Sequence, residues 1–244
     1  MRKWKNSSFV SLVAVFAAFS IVCDSLAGPF LDISGVWFSW IFIAEPINGI
    51  VLEPYTSFFS TLIGVLVGHS IYVRGAAEFL FTLGAPIGAL ISSHVFRSRC
   101  KLPLVFYLIL LGAFFATPVS WQLPLWGMWD VYLAFGCLIL SAFIMKRSRS
   151  LWDTRSTGTP SKHIVALSTF IGLEADVLFR IFILVPCQTY KTIYGLNASQ
   201  LQAVWMLGAF ETSIKAAISM LVSAMVTPHI ITALQRAGLH FIKR

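Results

Sequence analysis

Charge is scarce in this 244-residue chain: Asp, Glu, Lys and Arg make up 11% of it, against 57% hydrophobic residues. At a mean hydropathy of +0.81, so little charge excludes a polar surface on every side, and the chain reads as an integral membrane protein. Polar linkers are missing too. Its 16 Gly and 10 Pro are scattered through the apolar runs, which implies one membrane domain over 1–244 and no soluble appendage. No internal repeat is evident. Cys23, Cys100, Cys137 and Cys187 form no CxxC pair, and the five His no HExxH, so neither a metal centre nor a zinc hydrolase is expected. The GxxxxGK[ST] phosphate loop is absent as well, which excludes an ATPase of that type, and no cofactor is expected. The net charge of +8 lies in short basic clusters between apolar runs; that is an orientation signal of membrane proteins, and nucleic acid is not an expected partner.

What the chain does contain is a series of apolar stretches near the roughly 20 residues that a membrane span needs. Eight candidates run over 8–27, 34–52, 55–73, 76–96, 103–121, 125–145, 163–187 and 199–231. The breaks at Glu53-Pro54 and Arg74-Gly75 are short enough for a re-entrant or broken helix. The expectation is therefore an all-α, polytopic transmembrane bundle of six to eight spans. MRKWK, an apolar run and Ser25-Leu26-Ala27 have the form of a secretory signal, but the run is long enough to stay as a first helix, which is the reading adopted. Basic clusters precede the first span (Arg2, Lys3, Lys5), follow the fourth (Arg97, Arg99, Lys101), fill the loop 146–162 and close the chain (Arg236, Lys243, Arg244). Eight crossings put all four on one side, so both termini and that polar loop are expected to be cytoplasmic. Asn197-Ala198-Ser199 then falls outside and matches a glycosylation acceptor.

Ionisable residues inside spans carry the functional signal, because each costs roughly 2.5–3.5 kcal/mol at the bilayer centre on insertion scales. Asp176 and Arg180 share a helix face, as do Glu211 and Lys215, each pair being four residues apart. Glu174 points away from Asp176. Two readings follow: internal ion pairs that neutralise each other and hold helices together, or a polar binding cavity at mid-membrane. Asp24, Asp32, Glu45, Glu78 and Asp130 map to outer halves of spans or outer connections. The positive-inside bias accounts for part of that asymmetry, yet Glu45, Glu78, Asp130, Asp176 and Glu211 could all reach one cavity. In WQLPLWGMWD (121–130), Trp121 and Trp126 suit interfacial anchors. Trp129 beside Asp130 suits a flat, partly cationic or hydrogen-bonding ligand. The expected binding residues are thus Trp129, Asp130, Asp176, Arg180, Glu211, Lys215, Glu45 and Glu78. Small residues four apart (Gly64 and Gly68, Gly84 and Gly88, Ser219 and Ser223) suit packing within the bundle. Ala14 and Ala18 repeat the spacing on the first helix, whose outer face is free for another protein.

Three stretches resemble the substrate-binding S component of energy-coupling-factor transporters, the micronutrient uptake systems of bacteria and archaea. They are the basic opening helix with AVFAA at 14–18; EPINGIVLEPYTSFFSTLIGVLVGHSI at 45–71 with AAEFLFTLGAPIGALISSHVFRSR at 76–99; and SIKAAISMLVSAMVTPHIITALQR at 213–236. S components usually have six spans, and 103–187 has no clear counterpart among them. The resemblance implies a multi-pass cell-membrane subunit, not an enzyme, that captures a vitamin-like small molecule from outside. It also implies a transmembrane coupling subunit, docked on Ala14 and Ala18, and ATPase subunits that supply the energy. Asp176-Val177-Leu178-Phe179-Arg180 is similar to the EExxxR region of intramembrane CAAX-type proteases, although Ala175 and Ile181 stand where that motif has an acid and a glycine. A non-catalytic assembly protein whose charges only pair is the third class.

Overall fold

A chain this apolar has to satisfy its backbone polar groups internally, which favours helices. The computed structural model describes residues 6–26, 39–72, 76–147 and 160–237, and among them every regular element is helical. In order these are α1 (Asn6–Ser25), α2 (Ile41–Val51), α3 (Pro54–Ile71), α4 (Ala76–Thr82), α5 (Gly84–Phe96), α6 (Lys101–Ala116), two 3₁₀ turns (Pro118–Gln122 and Leu125–Met128), α7 (Trp129–Arg147), α8 (Lys162–Leu184), the short α9 (Thr189–Thr192) and α10 (Ala198–Arg236). Three stretches, Glu78–Phe96, Leu125–Met145 and Ala198–Arg236, are long and apolar enough to cross a membrane. Asp32, Arg74 and the loop 148–159 lie outside the described residues, as do Arg2, Lys3, Lys5, Lys243 and Arg244.

Helix α8 is the hub, packed by α2, α5, α6, α7 and α10, while α1 and α3 pair on the far side of α2 and α5. Glycines let the central helices touch. A β-carbon on Gly172 of α8 would run into the Gly88 carbonyl and Ser92 of α5. The same substitution on Gly64 or Gly68 of α3 would strike Ser20 or Asp24 of α1. Small residues on facing helices thus set the closest backbone approaches.

Only 11 residues long, α2 extends about 16 Å at ~1.5 Å per residue. That is about half of a ~30 Å hydrocarbon core, so its ends lie inside the bundle and need partners there. At the C-terminal end the guanidinium of Arg97, 4% exposed, donates to the carbonyl of Gly49 at 3.2 Å, one of the last-turn carbonyls a helix leaves open. Within the helix, Pro46 has no N–H for the carbonyl four residues earlier, that of Phe42. The hydroxyl of Ser219 on α10 donates to that carbonyl at 2.7 Å. Asn48 donates to Ser20 at 2.7 Å and to Thr61 at 3.0 Å, tying α2 to α1 and α3. The expected break at Glu53-Pro54 is present, with Pro54 opening α3 where its missing N–H costs nothing. The span expected over 76–96 corresponds to the stretch Glu78–Phe96, in which Leu83, with helical dihedrals, joins α4 to α5.

Two larger apolar layers lie beside a small cluster of Ile41, Ala44, Val65 and Ala85. One, around Tyr107, Phe114, Leu138, Ile171 and Leu178, fills the space between α5, α6, α7, α8 and α10. The other, Leu12, Phe16, Ile50, Leu52, Phe96, Ile164 and Ile231 among its members, closes the end at which α5 reaches Arg97, α8 starts at Lys162 and α10 ends at Arg236.

Candidate functional site

A cavity of about 130 Å³ opens toward the opposite end of the bundle. Its walls come from the last turn of α1, the start of α2, α3, α4, the Gly127 turn, the first turn of α7, the second half of α8 and the first half of α10. Ile41, Phe42, Phe81, Leu173 and Trp205 give it an apolar body, into which Asp24, Glu78, Asp130, Asp176, Arg180 and Lys215 project polar groups. An apolar pocket with a few convergent polar groups is the usual form of a small-molecule site.

Both four-residue pairs form. On α8, Nε and Nη2 of Arg180 donate to the two carboxylate oxygens of Asp176 at 2.7 Å each, a bidentate pair. On α10, Nζ of Lys215 lies 3.4 Å from Oε1 of Glu211. Each pair is confined to one helix, so it neutralises charge without tying two helices together. The pairing and cavity readings are therefore compatible, since Asp176, Arg180 and Lys215 also line the wall.

Asp130 is 2% exposed at the head of α7. It accepts hydrogen bonds from the hydroxyls of Thr212 and Ser213 on α10 and from the backbone N–H of Val131. Those contacts fix its carboxylate and hold α7 against α10. Gly84 provides room for Asp176, because a β-carbon there would overlap its carboxylate.

Of the eight residues expected at the site, Asp130, Asp176, Arg180, Lys215 and Glu78 line the cavity, and Glu211 stands behind Lys215. Glu45 does not reach the wall. Fully buried on α2, its carboxyl group has no hydrogen-bond partner among the described residues and lies against Gly88 of α5. Trp129 is elsewhere: it is 48% exposed and not among the lining residues. Trp205 of α10 lines the cavity instead, and its indole N–H donates to the Pro124 carbonyl at 3.0 Å. Its ring stacks on Phe114 at 5.5 Å and sits over Gly127, where a side chain would collide with it. Sequence reasoning passed over Trp205 because it has no charged neighbour in the chain; a Trp about two turns inside a span, at ~3.6 residues per turn, is the signal that was available. Asp24 and Glu174 were noted in the sequence but not assigned to the site. Asp24 lines the cavity, and Glu174, fully buried without a hydrogen-bond partner, lies behind it within electrostatic reach of Asp130 and Asp176.

The other sequence features also have places. Ala14 and Ala18 are both exposed, while Ala17 and Ser20 face inward. Asn197 caps α10: its side chain accepts from the N–H of Gln200, whose side chain accepts from the N–H of Asn197. Searches against protein-family models, curated proteins and solved structures find no match to this chain.

Proposed function

We propose that this protein is the substrate-capture subunit of a membrane uptake system for a small micronutrient, energised by a separate coupling and ATPase complex. The observation that carries the reading is the cavity. It gathers charged groups from five helices (α1, α4, α7, α8 and α10) around an apolar body, and intramembrane charge around a cavity is a feature of substrate pathways. Its place supports capture from outside. The cavity opens away from the end carrying Arg97, Lys162 and Arg236, and that end is closed by the second apolar layer. With positive charge favouring the cytoplasm, the cavity faces outward and both termini face inward, in a multi-pass arrangement of six to eight spans. Substrate enters between the Gly127 turn, α4 and α10, and is held by Asp130, Asp176, Arg180 and Lys215 against Trp205. Release to the inside requires the apolar end to open, which a partner must drive.

The exposed strip of Ala14 and Ala18 on α1 is the proposed dock for the coupling subunit, since two small side chains let another helix approach closely. Affinity purification of the tagged full chain from its native membrane in mild detergent tests this. The wild type is expected to bring down a membrane coupling protein with an ATPase pair. Ala18→Trp, placed on an exposed position, is expected to lose at least about nine-tenths of that recovery, equivalent to ~1.4 kcal/mol. Recovery of no ATPase with the wild type, or equal recovery with both chains, would contradict the reading.

A further inference from the structure

The cavity's charge is strongly asymmetric. The chain as a whole has 18 basic and 10 acidic residues, yet among the described residues Asp24, Glu78, Asp130 and Asp176 line the cavity beside Arg180 and Lys215. Both basic groups already have an acidic partner on their own helix, Asp176 for Arg180 and Glu211 for Lys215. A low-dielectric pocket with this surplus attracts positive charge and repels an anion.

We infer that the cavity selects a small organic cation: a planar apolar body bearing an amine or amidine group, its charge directed at Asp130 and the α4 wall and its ring against Trp205. Spacing and wall chemistry separate this from a bare metal ion. Among the described residues no three His, Cys, Asp or Glu side chains gather into a group that could hold a metal. The acids are distributed over four helices around an apolar body to whose wall Phe42, Phe81 and Trp205 also contribute. A cation over aromatic rings gains quadrupole attraction that a hydrated metal does not match. The bidentate Asp176–Arg180 pair keeps Arg180 engaged, so a ligand carboxylate would have to displace an existing partner.

The inference rests on reading the cavity as a capture site, and its test reads binding alone. Benzamidine, benzamide and benzoate are near-isosteric planar probes that are cationic, neutral and anionic. Titrated into the purified full chain by calorimetry, benzamidine is expected to bind saturably and at least about thirtyfold more tightly than benzamide, with no binding of benzoate up to about 10 mM. Asp130→Asn and, separately, Glu78→Gln are expected to weaken benzamidine about tenfold. Glu53→Gln, the same change of charge on an exposed turn, is expected to leave it unchanged. Benzamide or benzoate binding as tightly as benzamidine would overturn the cation class, and so would an absence of saturable benzamidine binding. Loss of the ATPase partnership would not alter this readout, so the two proposals fail separately.

Discussion

Pro46 leaves the Phe42 carbonyl without its helical donor, and Ser219, 177 residues away in the chain, supplies the missing hydrogen bond. Removing that hydroxyl takes this bond from a carbonyl that the proline nitrogen cannot serve. Ser219→Ala is expected to cost about 1 kcal/mol of stability in detergent or bilayer unfolding. Restoring an N–H through Pro46→Ala is expected to recover most of it, and a double-mutant cycle reads this as non-additivity; strictly additive costs would show that the bond contributes nothing. The ion pairs were legible in the sequence because spacing within one helix determines which side chains meet: Asp176 meets Arg180, and Glu211 meets Lys215. Adjacency carries no such information. Neighbouring residues on a helix point about 100° apart, since a turn takes ~3.6 residues, so Trp129 turns outward while Asp130 turns into the cavity. Trp205 was not legible because its position depends on Gly127 and Phe114, which only tertiary packing brings to it.

Helix α2 shows how an element can match its expected place and differ in kind. A span was expected over 34–52, and the described helix covers 41–51, with every residue but Ile43 buried. No apolar stripe distinguishes such a helix from a lipid-facing one, since both are hydrophobic all round. What marks it are Pro46, Asn48 and Gly49, residues that require specific partners. Gly49 lies so close to α5 that a β-carbon would overlap the Ala89 carbonyl. The same logic governs α5 against α8. Gly172→Ala places a methyl group against the Gly88 carbonyl and Ser92, and is expected to destabilise the bundle by about 1–3 kcal/mol. Gly112→Ala on α6, with open space around the new β-carbon, is expected to be neutral or to stabilise by up to about 1 kcal/mol. Thermal unfolding of the two variants side by side checks this, and equal losses would contradict the close-packing account.

At the scale of the whole molecule, the fold places polar chemistry and apolar closure at opposite ends. Helical class and the run of helices were legible because each apolar segment is long and bounded by charge or Pro. The convergence of Glu78, Asp130 and Asp176 was legible only as an ability to reach one cavity, since no spacing rule links three helices, and Asp24 joins them through the packing of α1. On the proposed reading that convergence makes the cavity a place for a small molecule, and its occupancy is directly measurable. Gly208 lines the cavity, and a β-carbon there meets open space, so Gly208→Leu fills the site without removing a charge or straining the backbone. Native mass spectrometry of the wild type and of this variant, each isolated from its native membrane, is the decisive comparison. The wild type is predicted to carry a non-lipid small-molecule adduct that Gly208→Leu, folded and equally abundant, lacks; the same adduct on both chains, or none on the wild type, would contradict the account.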